Sequence, residues 1–178
     1  MIQLIGRFRR DRRGIGAVEF ALILPIMLTA VLGSVQCFLL ARAKMLTVAA
    51  ARNLADLVSQ QDSVNATTIS DFCTAGQLSI QPLPSTTLKV AVASVSYSST
   101  TSAPAIVWTD VTCGSVATIT SAAKLAAAVV LTTGDSAIVV CATYTLSLPV
   151  SFPLGSSFAL TGTAIARPRN GSAVTYGS

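Results

Sequence analysis

A single carboxylate, Glu19, stands near the head of an apolar run that extends from Ile15 through Leu40. Only Glu19, Pro25, Gln36 and small residues interrupt the run, and its about 26 residues exceed the about 20 that a helix needs to cross hydrocarbon. The segment therefore reads as a transmembrane helix over residues 15–41. An ionised side chain in such a helix is unfavourable by roughly 2.5 kcal/mol or more, so Glu19 calls for a partner or a role. Pro25 removes a backbone donor and is expected to kink the helix.

Charge fixes the orientation. Arg7, Arg9, Arg10, Arg12 and Arg13 precede the run, offset only by Asp11, whereas the downstream flank begins with Arg42 and Lys44. The positive-inside bias places the N-terminus in the cytoplasm and the residues beyond the run across the membrane. A cleaved secretory signal would have a shorter apolar core and no carboxylate at its start. The formal net charge of +5 resides mostly in the first 14 residues, so it is a topology signal. The remaining charges are scattered and accompany one Trp, which argues against a nucleic-acid surface.

Helical character continues past the span through residues 42–61. This stretch is rich in Ala, and Leu46, Ala50, Leu54, Leu57 and Val58 form a stripe at three- and four-residue spacing. One helix over 15–61 would reach roughly 70 Å at 1.5 Å per residue. Its apolar stripe requires a cover, supplied by the chain's own C-terminal part or by neighbouring helices.

From Asp62 the composition shifts to Thr, Ser, Val and Ala. Residues 88–97, 105–109, 137–146 and 158–166 are β-branched or alternating and are bounded by Gly, Pro or Ser clusters, which predicts four strands. Residues 117–130 could form a helix between the second and third. The sum is an α+β fold, in which a long N-terminal helix continues into a small head with an antiparallel sheet over 62–169. Roughly 115 residues suffice for one modest core. The Pro149–Ser157 stretch reads as a long connection whose Phe152 and Phe158 either cap the core or form a contact surface, and residues 170–178 read as a flexible tail.

Cys37 lies in the span, where it reads as a small buried apolar residue, while Cys73, Cys113 and Cys141 fall on the far, oxidising side. Strand pairing admits a disulfide between Cys113 and Cys141 or between Cys73 and Cys113. The chain contains no His, which excludes Ser-His-Asp and Cys-His catalysis and, with no Cys-x-x-Cys spacing and no carboxylate cluster, gives a zinc site little support. Asp56, Asp62, Asp71, Asp110 and Asp135 stand apart and read as caps and surface charge. Ser121-Ala122-Ala123-Lys124 spells a Ser-x-x-Lys on a Ser-rich chain where that spacing arises by chance. No enzyme, cofactor or small-molecule substrate is expected.

A Gly followed by four residues and then Glu-Phe, heading an apolar helix, resembles the processing site of type IV pilins. More narrowly, Arg12-Arg13-Gly14-Ile15-Gly16-Ala17-Val18-Glu19-Phe20-Ala21-Leu22-Ile23-Leu24-Pro25 is similar to the start of the TadE-like minor pilins, or pseudopilins, of the tight-adherence (Flp-type IV) pilus. Ala164-Ile165-Ala166-Arg167-Pro168-Arg169 also resembles the end of many members. The resemblance implies a leader over 1–14 that a prepilin peptidase removes after Gly14, leaving Ile15 as the new N-terminus. It further implies a single-pass bacterial inner-membrane protein with a periplasmic head. Its partners would be other major and minor pilins and the assembly platform, and its role would lie in assembly, initiation or the tip of a Tad (type IVc) pilus used in cell adhesion. Glu19, followed by Phe20, could then meet the freed amine of Ile15 in its own or a neighbouring subunit and so set axial register. Read without the resemblance, Glu19 is equally an acid in a helix's first turn, solvated by headgroups. The other organisation open to the sequence is an unprocessed inner-membrane-anchored periplasmic scaffold or binding protein.

Overall fold

The computed structural model describes residues 15–148 and 150–177. The leader 1–14, with the cleavage-site residue Gly14, lies outside the described residues. Helix α1 runs Ile15–Ser59, 45 residues, with Pro25 inside it. The helix continues on both sides of Pro25, whose missing N–H leaves the Ala21 carbonyl without its usual partner.

Two compact units share α1. One comprises α1 as far as Leu39 together with the loop Leu148–Ser156, and the other comprises Leu40–Ser147 and the residues from Ser157 onward. The second unit is the head. Its elements after α1 are β1 (Ser63–Val64), α2 (Ala66–Ser79), β2 (Leu88–Ser98), β3 (Ala103–Asp110), α3 (Ala122–Ala126), β4 (Ser136–Ser147), β5 (Ser157–Ala166) and β6 (Thr175–Tyr176). The four long strands form one antiparallel sheet in the order β3-β2-β4-β5, and the fold is α+β.

The central strands β2 and β4 are buried on both faces, which explains their near-continuous Val, Ala and Ile. Alternate residues serve different covers. Ala91, Ala93, Val95, Ala137, Val139 and Cys141 pack with Val116, Ile119, Ala122, Ala126 and Val130 from the α3 segment. The helix expected over 117–130 is therefore shorter: a 3-10 turn over Ala117–Ser121 leads into α3, and Ile119, Ala122, Ala126 and Val130 supply the inward stripe. Asp135 ends this segment by accepting from the backbone N–H groups of Leu131 and Thr132 and from the Thr132 hydroxyl. Those bonds hold its carboxyl below the usual range.

The opposite face meets α1. A Cβ at Gly162 would stand 2.9 Å from the Thr47 carbonyl oxygen and 3.1 Å from Val48 Cα, so β5 and α1 approach backbone to backbone. Small residues permit this on both sides: Gly162 pairs with Ala142 and Ala164 with Val140, while α1 presents Ala43, Thr47, Ala50 and Ala51, all fully buried. Leu54 and Val58 fill the wider space beyond. Gly162→Ala is expected to destabilise the head by about 1–3 kcal/mol, because its neighbour is backbone and cannot rotate away. Thermal unfolding of the purified chain checks this, and an unchanged midpoint would contradict the close approach.

Sequence reading assigns no element to residues 66–79, where the structure has α2. Asn65 caps it, its side-chain oxygen accepting from Thr68 N at 2.8 Å. Ile69, Cys73 and Gly76 form its buried stripe, with Gly76 against the Leu54 side chain.

The segment after Asn170, read from sequence as a flexible tail, is instead held by specific contacts. β6 pairs in parallel with β1, matching Ser63 to Thr175 and Val64 to Tyr176. Trp108 Nε1 donates to the Val174 carbonyl at 2.8 Å, and its ring lies 5.2 Å from that of Tyr176. The Tyr176 hydroxyl donates to buried Asp110 at 2.5 Å, which raises the tyrosine pKa by favouring its protonated form. Arg169 N donates to the Ser59 carbonyl at the end of α1, and its guanidinium pairs with Asp56 at 2.6 Å. That ion pair is largely exposed and adds little stability by itself.

Candidate functional site

The first half of α1 is apolar around its whole circumference. Val18, Phe20, Leu22, Ile23, Ile26, Met27, Leu28, Val31 and Phe38 are all more than half exposed, which a water-soluble helix with one buried stripe does not show. By length and composition the helix can cross a membrane, which makes it compatible with a membrane anchor. Phe20, Leu24, Met27, Leu28 and Val31 recur at three- and four-residue spacing and line one shallow groove along it.

Its polar groups are few, and all but one are answered, Thr29 and Ser34 within the helix and Gln36 outside it. The Thr29 hydroxyl donates to the Ile26 carbonyl and the Ser34 hydroxyl to the Val31 carbonyl, both at 2.8 Å. Glu19 is the exception. It is exposed one turn from the start of α1, and it forms no ion pair among the described residues. It stands next to Phe20, which is 64% exposed, and precedes Pro25 by less than two turns. Ile15 opens the helix, so its backbone nitrogen lies one turn before the carboxylate-bearing residue.

Gln36 is a polar group that sequence reading treated only as an interruption. It is 4% exposed, and its amide is fully used by the loop 148–156. Gln36 Nε2 donates to the carbonyls of Val150 at 2.6 Å and Phe152 at 3.0 Å, and Oε1 accepts from Leu154 N at 3.2 Å. The signal was present: an amide inside an apolar span needs a partner of its own. Phe152 is exposed, so it does not cap a core, while Phe158 is half-buried on β5.

Of the cysteines considered for a disulfide, Cys73 on α2 and Cys113 after β3 are joined, and Cys141 is a buried free thiol on β4. Cys37 is exposed on α1 rather than buried, on the surface that lipid or another helix would touch. Among the described residues, four of the five isolated carboxylates, all but Asp71, have structural employment. Asp56 meets Arg169, Asp62 accepts from Asn170, Asp110 from Tyr176 and the Thr112 N–H, and Asp135 caps a turn.

Residues 14–56 match the model of a family described as TadE-like protein. The match begins at Gly14, takes in Glu19 and Pro25, and ends within the last turn of α1, leaving the sheet outside it. No curated protein and no solved structure matches the chain.

Proposed function

We propose that the chain is a TadE-like minor pilin, or pseudopilin, of a Tad (type IVc, Flp-type) pilus, acting in assembly, initiation or at the tip. The observation that carries this reading is Glu19, exposed and free of any ion pair among the described residues, on a helix that is apolar on every side. A carboxylate so placed is stabilised when a second subunit brings a cation to it.

The cation is the amine that a prepilin peptidase frees at Ile15 by cutting after Gly14. Before assembly the subunit waits in the bacterial inner membrane with its N-terminus cytoplasmic and its head periplasmic. On assembly α1 packs among the helices of major and minor pilins, with Phe20 and the groove from Leu24 to Val31 as its contact surface. The pairing of Glu19 with a neighbour's Ile15 fixes axial register, because sliding by a residue separates the charges. Pro25 loosens the turn before it and lets the helix bend in the packed core. The role is structural, and the assembly platform is the remaining partner.

Intact mass and terminal-peptide analysis test the reading on the chain expressed with and without a cognate prepilin peptidase. Ile15 is expected as the N-terminus only when the peptidase is present. Retention of residues 1–14 under both conditions would remove the amine, and the chain would then be an unprocessed membrane-anchored scaffold or binding protein.

A further inference from the structure

The loop 148–156 lies beside the apolar part of α1. Gln36 fastens it through three hydrogen bonds, and at Gly33 a side chain would meet Pro153 Cγ at 3.5 Å. A side chain at Gly33 would thus stand at ordinary van der Waals distance from the loop. Within the loop, Leu148 N donates to the Ser156 carbonyl at 2.8 Å and Gly155 N to the Ser151 carbonyl at 2.6 Å, which closes its base. The loop carries no charged residue, and Pro149 and Pro153 bring no N–H to be satisfied. Val150, Phe152 and Leu154 are exposed.

The depth of this contact follows from the helix rise. Gln36 precedes Arg42 by about 9 Å and Gly33 precedes it by about 13 Å. Arg42 is the first cation after the apolar run and is exposed, so its long basic side chain can reach for the headgroups, whereas Lys44 donates to the Thr161 carbonyl of β5. A span that ends there places Gly33 and Gln36 below the headgroup layer, among acyl chains. Irregular backbone survives at that depth only where protein groups satisfy it. Gln36 does this for two carbonyls and one N–H.

We infer that loop 148–156 is a second membrane contact, inserting Val150, Phe152 and Leu154 among the acyl chains of the leaflet that holds the C-terminal end of the span. Gln36 is its polar fastener. This rests on the reading of α1 as a membrane span. It gives the protein two points of attachment to lipid, far apart in sequence, and it assigns to Gln36 a positioning role independent of filament formation.

Depth-dependent quenching by brominated lipids tests the inference on the full chain in phosphatidylcholine–phosphatidylglycerol vesicles. Phe152→Trp reports on the loop and Phe38→Trp on the span, with native Trp108 giving the same background in each protein. Both added indoles are expected to emit at shorter wavelength and to lose emission when bromine is carried on the acyl chains. Gln36→Leu in the Phe152→Trp protein should abolish the loop's quenching, while the same change in the Phe38→Trp protein leaves the span's quenching intact. A quenched span with an unquenched loop would overturn the inference and leave the span standing. Quenching of neither would remove the span and the inference together. A loop indole that lipid never quenches, and that becomes shielded only on assembly into filaments, would assign the loop to subunit packing and overturn lipid contact.

Discussion

Glu19→Ala is expected to abolish incorporation into filaments while leaving processing after Gly14 and the folded head unchanged. In the proposed filament the carboxylate neutralises the Ile15 amine of a neighbour in a helix-packed, water-poor core. Removing it leaves an ammonium there alone, a penalty of roughly 3 kcal/mol on insertion scales, or about a 100-fold loss in the equilibrium for adding a subunit. Glu19→Gln should fail as completely, because it keeps the shape and removes the charge. Glu19→Asp should recover part of the function, since the charge remains on a shorter arm. The measurement is the fraction of subunit that leaves the membrane with sheared filaments, with N-terminal mass as the control for cleavage. Incorporation of the Ala variant at the level of the native chain would reduce Glu19 to a solvated acid in the first turn and withdraw the register argument.

Loss of the disulfide is expected to give the largest stability change in the head. Cys73 and Cys113 are 40 residues apart in sequence, and closing a loop of that size restricts the unfolded chain by about 3–4 kcal/mol in the chain-entropy account. The bridge ties α2 to the turn after β3, and the rest of α2's attachment is the stripe of Ile69 and Gly76. Cys73→Ser, Cys113→Ser and treatment with reductant should therefore lower the unfolding midpoint alike, and backbone amides of α2 should lose exchange protection first. Thiol counting on the denatured, unreduced chain should find two free thiols, Cys37 and Cys141. A midpoint indifferent to reductant would show that the bridge does not form in the native protein.

The strands were legible because alternation and β-branching survive burial. All four expected strands are present, each extended at one or both ends by one or two residues, and α1 ends at Ser59 rather than 61. The absence of α2 from the sequence reading has a physical cause. Its stretch, Ala66–Ser79, is rich in Thr and Ser, and its buried stripe of Ile69, Cys73 and Gly76 is too thin to register as an amphipathic helix. The C-terminal clasp was illegible for a different reason. Gly, Ser and Asn signal mobility when read locally, yet Trp108 and Asp110 lie more than sixty positions away and only the folded sheet presents them to Val174 and Tyr176. Gln36 falls between these cases: its anomaly was visible, but its partners, Val150, Phe152 and Leu154, come from a loop whose position no local pattern encodes. The apolar run was legible from composition alone, and α1 covers it from Ile15 onward with Glu19 and Pro25 inside it.

The pairing of β6 with β1 sets an order of events in biosynthesis. Ser63 and Val64 are made well before their partners Thr175 and Tyr176, which follow them by 112 residues. Trp108 and Asp110 wait a shorter stretch, 66 residues, for Val174 and Tyr176. This clasp therefore forms later than the four-stranded sheet, which is complete by Ala166. The clasp of β1, β6, Trp108 and Asp110 closes only after Tyr176 has emerged, by which point β5 has already been made and can cover the alanine-lined face of α1.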